Sequence, residues 1–354
     1  MFDIAGILIT IFQFLIVLGV VVVVHEFGHF ATAKAFGIRV NEFGIGFPPR
    51  LISIRKGTTL YTLNLIPIGG FVKLEGENEP TNNYSLSSKS AQVRLLVLIA
   101  GPFMNIALAV ILLAILGMFT ANEVHVGGIV FGAPADLSGI KRGDVIREID
   151  GEAIGNFADL RNSITTNIGQ ESNWVLSRAG REFNVYVVPR HNPPIGEGPT
   201  GISVQTVTTY RPWPIHMPWD SGILGIKQTW NIMAAMKAEA TGWFSGRTVP
   251  ELAGPIGIAH MTGQLTKEAG MISLVPLAAV FSLSLGIFNL LPIPALDGGR
   301  IMFVVIEWVR RGKKVPPEKE GIIHLMGFIF LIGIIMLVTY NDIIKIVEGN
   351  SILR

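Results

Sequence analysis

Four long apolar runs dominate the pattern of hydrophobic and polar positions along the chain. They cover residues 4–24, 95–119, 272–294 and 322–340, and each is close to the roughly 20 residues that cross a hydrocarbon core as a helix. We expect the first run to be retained, because no Lys or Arg precedes it and it exceeds the about 7–15 apolar residues of a signal peptide. The pattern therefore predicts a polytopic α-helical membrane protein with four transmembrane helices.

Residues 42–74 show a different pattern, in which β-branched residues alternate with others between turn signals. Lys56-Gly57 and the paired prolines and glycines predict strands joined by a hairpin. The segment is apolar, and non-helical backbone is tolerated at membrane depth only where protein or a wet cavity shields it. Two interpretations are open: a re-entrant sheet packed against the membrane helices, or a small hairpin at the membrane interface.

The stretch from 120 to 210 predicts a small α+β domain inserted between the second and third membrane helices. Asn156 can cap a helix over Phe157–Thr166. Gly180 lies between two alternating stretches, as in a turn between paired strands. A proline-rich linker interrupts the domain before a last strand, "ISVQTV".

Residues 220–250 carry Ile223, Ile226, Trp230 and Met233 near helical spacing. This spacing favours an amphipathic helix on the outer membrane surface, and packing against the inserted domain is the alternative. The sequence therefore predicts four regions: a first half of the membrane domain (1–119), the inserted domain (120–210), an outer amphipathic or linker region (211–271) and a second half of the membrane domain (272–354). The first half contains the first helix at about 4–36, the β region 42–74 and the second helix at about 95–119. The second half contains the third helix at about 272–309, a cytoplasmic loop 310–320, the fourth helix at about 322–340 and an outer tail.

Composition agrees with lipid as part of the solvent. Only 15% of the residues are charged, against about 25% in soluble globular domains. The net charge of +2 and the lack of a basic stripe with interleaved aromatics argue against nucleic acid as a partner. Since the chain contains no cysteine, any metal site must use His, Asp or Glu.

Lysine and arginine are concentrated between the first and second apolar runs and between the third and fourth. The positive-inside rule places both of these loops in the cytoplasm. The N-terminus, the inserted domain and the C-terminal tail then face outward. This arrangement predicts a multi-pass membrane protein with both of these loops on the cytoplasmic side.

The stretch "VVVVHEFGHF" places three titratable residues at the end of the first apolar run. His25 and His29 are four residues apart and lie on one face of a helix, where two neutral imidazoles can hold Zn²⁺. Glu26 lies beside the pair and can take a proton from zinc-bound water, whose pKa falls to roughly 7. A charged group at this depth costs about 2.5–3.5 kcal/mol, so a bound metal ion supplies a reason for the cluster; a polar cluster satisfied by neighbouring helices is the alternative.

A catalytic zinc ion needs a third protein ligand and an open position. The best candidate is Asp297 in "NLLPIPALDGGR", at the inner end of the third predicted helix. Topology puts this end on the same side of the membrane as His25 and His29. The alternative is that Asp297 only caps a turn. His324 is a weaker candidate ligand, and we expect it to serve helix packing or to lie at the interface.

These residues resemble the site-2 protease family of intramembrane metalloproteases, and in particular its bacterial regulator-of-sigma-E type. The resemblance is carried by "HEFGH", "AGPFMN", "LAGPIGI", "NLLPIPALDGGR" and a PDZ-like "GAPADLSGIKRGDVIREIDG", and it covers nearly the whole chain. It implies Asp297 as the third zinc ligand and Glu26 as the catalytic base. It also implies that the inserted domain is a single PDZ-like domain, where other members have two.

The resemblance assigns further roles. Asn289 would hold the substrate backbone or the oxyanion, with interhelical hydrogen bonding as the alternative, whereas Asn105 and Gly101-Pro102 would pack the second helix closely. The strands at 42–74 would accept the substrate as an added strand. Gly127, Gly128 and Ile129 could form a backbone nest for a peptide carboxylate, although exclusion of bulky substrates is favoured because that loop lacks Lys and Arg.

The function predicted from the sequence is intramembrane zinc-dependent hydrolysis of peptide bonds in single-span membrane proteins. By resemblance, the substrates would be anti-sigma factors or remnant signal peptides. A metal-ion transporter is one rival, but it would need more polar residues along the outer halves of the spans. A non-proteolytic PDZ scaffold is another, but it would have no use for Glu26.

Overall fold

The computed structural model describes residues 4–77, 82–194, 196–210, 214–215, 217–247 and 253–348. Contacts divide the chain into two compact units. The membrane unit contains the chain up to Leu116 and from Gly222 onward, and the inserted unit is Gly117–Ser221. The helices are α1 (Ile4–Ala35), α2 (Ala91–Phe119), α3 (Pro134–Leu137), α4 (Phe157–Thr166), α5 (Pro218–Phe244), α6 (Pro255–Ala269), α7 (Leu274–Leu290), α8 (Asp297–Val309) and α9 (Pro317–Val347).

Four segments among the described residues are long and apolar enough to cross a membrane: Leu8–Ala35, Ala91–Phe119, Met271–Leu290 and Pro317–Val347. They correspond to the four apolar runs, and this part of the prediction is confirmed. The last of them, α9, extends beyond the predicted 322–340 at both ends, and residues 349–354 of the predicted outer tail lie outside the described residues.

The predicted third helix over 272–309 is wrong as a single element. Helix α7 ends at Leu290, and α8 begins at Asp297. Pro292 and Pro294 lie in the turn between them, and proline interrupts a helix because it lacks the N–H donor and its ring clashes with the preceding turn. The turn is tight, since a Cβ added at Gly298 would lie 1.9 Å from the carbonyl oxygen of Leu291. Asp297 therefore starts a new helix instead of ending an old one.

Residues 42–74 form two long antiparallel strands, β1 (Val40–Lys56) and β2 (Thr59–Leu74). They are bent so that the first part of β1 is paired on both sides: Phe43 lies opposite Tyr61 and also opposite Val72. The predicted turn is at Gly57, which has a φ of +60°.

One end of this sheet packs against α1, and Ala33, Val40 and Leu74 share a buried cluster with Val97 of α2. The other end exposes apolar side chains, including 67% of Ile54. The packing of the sheet against α1 and α2 agrees with the interpretation of a re-entrant sheet.

Residues 218–269 form α5 and α6, with 248–252 outside the described residues. Met233 and Met236 of α5 pack on a cluster formed by Ala109 of α2 and Leu283 of α7. α5 therefore packs on membrane helices, and its location at the outer membrane surface stays a prediction.

Helix α6 was not predicted, and it contacts the membrane helices α1, α7 and α9. Thr266 Oγ1 donates a hydrogen bond to Gln13 Oε1 of α1 at 3.2 Å. At its other end the buried Asp342 of α9 accepts hydrogen bonds from the amides of Gly254 and Gly257, both at 2.9 Å. A linker interpretation of 211–271 is therefore incorrect for this part, which belongs to the packed membrane unit.

The inserted unit is a sheet with two short helices, as its α+β pattern predicts. Its strands are β3 (Thr120–Ile129), β4 (Val145–Ile149), β5 (Glu152–Ala153), β6 (Ser172–Arg178), β7 (Arg181–Val187) and β8 (Ile202–Tyr210), in the order β7-β6-β4-β3-β8 with β5 on β4. Asn156 caps α4 by accepting hydrogen bonds from the amides of Ala158 and Asp159. The core is closed around the fully buried Trp174.

Candidate metal centre

Helix α1 brings His25 and His29 together on one face, as their spacing requires. Both side chains are buried, and their Nε2 atoms are 3.2 Å apart. The two rings meet edge to face with centroids at 4.8 Å. The imidazoles therefore converge on one point instead of stacking.

Asp297 completes the group from the first residue of α8. Its Oδ2 is 3.0 Å from His25 Nε2 and 3.2 Å from His29 Nε2. These separations are close to the about 3.3 Å between ligand atoms of a tetrahedral zinc site with bonds of about 2.05 Å. Within the described residues this is the group of His, Asp and Glu suited to hold a metal ion, with all ligand atoms within 4.8 Å of one another. The start of a helix also favours a carboxylate because of the helix dipole.

The hydrogen bond of His29 to the backbone supports metal binding. His29 Nδ1 lies 2.8 Å from the carbonyl oxygen of Val97, which can only accept, so Nδ1 carries the proton. In the neutral imidazole, Nε2 then carries the lone pair and faces the other two ligand atoms. Such a contact on the outer nitrogen is typical of histidine metal ligands.

Asn105 of α2 contacts the other imidazole. Its amide group is 3.2 Å from His25 Nδ1, and the side chain is fully buried. For His25 to offer the Nε2 lone pair, Nδ1 must carry the proton, so the amide oxygen of Asn105 must face it. The two ends of an amide are assigned from such networks. The sequence interpretation gave Asn105 a packing role only, although it was the one hydrogen-bonding side chain in its apolar run.

Gly101 provides the space in which the imidazoles meet. A Cβ at this position would lie 2.3 Å from His29 Nε2 and 2.8 Å from His25 Nε2. No other residue type fits without moving a ligand. Sequence reasoning missed this role as well, because the contact exists only once α2 lies against α1.

Glu26 lies beside the group rather than in it. It lines a cavity of about 460 Å³ together with His29 and Asp297. Val72 of β2 lines the same cavity as Glu26. Further lining residues come from β2, the segment between β2 and α2, α2, the turn before α8, α8 and α9: Phe71, Val72, Leu74, Glu77, Leu86, Val97, Leu98, Ala295, Leu296, Arg300, His324, Leu325 and Phe328.

The remaining predicted site residues lie elsewhere. Asn289 is on the last turn of α7; it does not line this cavity, and its side chain forms no hydrogen bond with the described residues. Gly127, Gly128 and Ile129 belong to strand β3, where Gly128 pairs with Ser203 of β8. Neither glycine has a positive φ, so the predicted backbone nest is not formed: the nest needs a left-handed residue.

Comparison with known proteins agrees with this geometry. The model of Peptidase family M50 matches residues 13–334, a range that includes both histidines and Asp297. The chain belongs to this family.

Relatives that align with nearly all of this chain are named as proteases. Zinc metalloprotease RasP of Oceanobacillus iheyensis is 30% identical over 420 aligned residues, which cover 94% of this chain and 98% of the relative. Zinc metalloprotease RasP of Geobacillus kaustophilus is 30% identical, with 95% and 98% covered. Regulator of sigma-W protease RasP of Bacillus subtilis is 28% identical, with 94% and 98% covered. Family and relatives together identify a membrane zinc metalloprotease, and they do not favour a transporter or a scaffold.

Proposed function

We propose that this M50 protease hydrolyses peptide bonds within the transmembrane segments of single-span proteins, with His25, His29 and Asp297 as the zinc ligands. The observation that carries the proposal is the convergence of three ligand atoms within 4.8 Å on apolar helices. The donor set of two imidazoles and one carboxylate is a known catalytic zinc set that leaves one coordination position open. When bound, the zinc ion acidifies a water molecule and polarises the scissile carbonyl group.

Glu26 acts as the catalytic base. It takes one proton from the attacking water as the oxygen adds to the carbonyl carbon, and it returns this proton to the nitrogen of the leaving amine as the C–N bond breaks. Its location on the wall of the same cavity as His29 and Asp297 supports this role.

The substrate binds as an extended strand along the end of β2. A peptide bond within an intact helix has its carbonyl group covered, so the substrate helix must unwind before hydrolysis. Phe71, Val72 and Leu74 line the catalytic cavity, and an added strand beside them would place its backbone next to Glu26. Asn289 could contact this substrate if the peptide extends toward the end of α7.

The protein lies in a bacterial cytoplasmic membrane, with the loops after α1 and α8 in the cytoplasm and both termini outside. The distribution of Lys and Arg supports this orientation. The inserted unit is then extracytoplasmic and works as a PDZ-like domain that excludes substrates with bulky outer domains. The extended conformation of Gly127 and Gly128 supports exclusion over capture of a carboxylate.

The substrate class is membrane-anchored anti-sigma factors, with remnant signal peptides as the second class. The support is the resemblance noted from the sequence motifs and the name of the Bacillus subtilis relative, regulator of sigma-W protease. One chain supplies all three proposed ligands, so the metal site does not require a second subunit.

The test compares wild type with Glu26→Gln in proteoliposomes that contain a model single-span substrate. The variant keeps the size of the side chain and removes the base, so we expect one zinc ion per chain in both proteins. Cleavage by the variant should fall by a factor of about 10²–10⁴. Full cleavage by Glu26→Gln, or an active protein without zinc, would refute the mechanism.

A further inference from the structure

The turn before Asp297 has an unusual backbone conformation. Ala295 has a φ of +77°, a region that residues other than glycine rarely adopt. Its amide donates a hydrogen bond of 2.8 Å to His324 Nδ1, a side chain of α9. A residue in this conformation persists only where its surroundings hold it. The contact with α9 is one such restraint, two residues before a proposed zinc ligand.

Helix α9 contacts the same turn at a second point. Gly327 faces Pro294, and a Cβ on this glycine would lie 2.4 Å from the Cβ of Pro294. The missing side chain lets the helix approach closely enough for His324 to reach the amide of Ala295. The imidazole also lies against Phe303 of α8, with ring centroids 5.6 Å apart.

The chemistry of this contact excludes the role of a fourth ligand for His324. The backbone N–H can only donate, so Nδ1 of His324 is an acceptor and its lone pair is used. The other nitrogen, Nε2, is buried and forms no hydrogen bond with the described residues; it is 3.9 Å from Glu320 Oε1, which is too long for a hydrogen bond. His324 is not part of the group of ligand atoms around His25.

We propose that His324 is a positioning residue for the metal centre: by accepting the hydrogen bond from Ala295 it fixes the left-handed turn that directs Asp297 Oδ2 at both imidazoles. The inference rests on the proposed zinc site. Through this hydrogen bond, the geometry of the site depends on where α9 lies. Leu325 and Phe328 of α9 line the catalytic cavity, so the same helix contacts both the turn and the space for the substrate.

The test uses three substitutions that separate the acceptor from the bulk of the ring. His324→Asn offers an oxygen at the position of Nδ1, His324→Gln offers one a bond further out, and His324→Leu offers none. His260→Leu, at an exposed position of α6, is the matched control. The measurement is the zinc dissociation constant of the full chain in detergent, from competition with a chromophoric chelator, together with the visible spectrum of the cobalt-substituted protein.

We expect zinc binding to weaken by about tenfold in His324→Leu and His324→Gln, the lower end of the range for residues that orient metal ligands. His324→Asn and His260→Leu should bind zinc like wild type and keep the cobalt spectrum. The inference is overturned if His324→Leu binds zinc like wild type, or if His324→Asn binds it as weakly as His324→Gln. If His324→Leu does not fold, the comparison of the Asn and Gln variants still decides.

The outcome also separates this inference from the proposed function. If wild type and Asp297→Ala bind zinc equally well, the ligand assignment itself is wrong. If Asp297→Ala loses zinc while His324→Leu does not, only the role of His324 fails.

Discussion

The membrane unit and the inserted unit compensate their buried carboxylates in different ways. In the inserted unit, Asp144 is fully buried and accepts two hydrogen bonds from Arg178, at 2.6 and 2.7 Å. In the membrane unit, Asp297 faces two imidazoles, and Asp342 faces two backbone amides. A guanidinium group can reach water from the surface of a soluble domain, whereas within lipid every additional charge must be compensated by protein.

The difference indicates what each arrangement is for. The pair Asp144 and Arg178 is complete, since the forked guanidinium satisfies both carboxylate oxygens. The group at Asp297 needs a positive charge, because neutral imidazoles would direct the Nε2 lone pairs of His25 and His29 and the negative charge of Asp297 at the same point. An uncompensated polar group in a membrane is costly to keep. That cost supports the proposed role of the three residues as a metal centre, whereas the ion pair is complete without a ligand.

The largest effect should come from filling the space between the two imidazoles. In Gly101→Ala the new methyl group would lie 2.3 Å from His29 Nε2, so a ligand has to move. We expect zinc affinity to fall by at least about 100-fold, the upper end of the effect of disturbing the surroundings of a metal site. Zinc content after dialysis against a weak chelator measures this loss.

Gly333→Ala is the matched control for that substitution. It places the same methyl group in α9, at a site with no neighbouring atom within 4 Å, and should bind zinc like wild type. Normal zinc binding by Gly101→Ala would mean that the imidazoles do not converge as described.

A smaller effect is expected at Asn105. Asn105→Leu keeps the volume but removes the acceptor for the Nδ1 proton of His25, so zinc affinity should fall by about 10- to 100-fold. Asn105→Asp keeps an acceptor oxygen and should retain zinc. Isothermal titration of the metal-free protein with zinc distinguishes the two.

Ser282→Ala serves as the control, because the Ser282 hydroxyl donates its 2.8 Å hydrogen bond to the backbone oxygen of Asn105 and not to the side chain. If Asn105→Leu and Ser282→Ala bind zinc equally well, Asn105 has the packing role that the sequence suggested.

The three candidate ligands could be picked out from the sequence because their signals are local or topological. His25 and His29 are one helical turn apart, and Asp297 follows an apolar run whose end is predicted to lie on the same side of the membrane. Gly101 and Asn105 give no such signal, since their contacts depend on how α2 lies against α1. The same holds for His324, whose acceptor role depends on the conformation of Ala295.

Two errors in the fold have physical causes as well. The run through 272–309 appeared continuous because Pro292 and Pro294 lie among apolar residues, but they break the helix and create the turn that Asp297 needs. Helix α6 was missed because it is only 15 residues long and is held by partners from α1 and α9. The overall set of four spans survived both errors, since hydrophobic length alone determines it.

An intermediate effect is expected at Asp342, which accepts hydrogen bonds from two backbone amides in the membrane unit. Asp342→Ala removes the acceptor for the amides of Gly254 and Gly257, and hydrogen bonds to a charged group contribute about 1.5–3 kcal/mol each. We expect α6 to detach from α9, which should appear as faster hydrogen exchange over 255–269. Zinc binding should not change, since His324 and Gly327, which contact the turn before Asp297, lie more than four helical turns from Asp342 along α9. Unchanged exchange in α6 would show that its contacts with α1 and α7 are sufficient to hold it.

The smallest effect should be a shift in the acid stability of the inserted unit. Burial disfavours the charged form of Asp144, but the hydrogen bonds from Arg178 and the amide of Lys141 outweigh it and hold the pKa of Asp144 below its ordinary value. A lowered pKa stabilises the fold above the ordinary pKa of aspartate, about 3.9, and this contribution is lost as the pH falls through the pKa of the folded state.

In Arg178→Leu the pKa of Asp144 should rise, so protection of the amides in β4 and β6 of the full chain should be lost at a higher pH than in wild type. Because Arg178 is 37% exposed, we expect a loss of only about 1 kcal/mol at neutral pH, near the upper end for exposed pairs. Equal pH profiles of amide exchange in the two proteins would mean that the ion pair does not stabilise the sheet, and the contrast with the metal centre would then rest on the membrane unit alone.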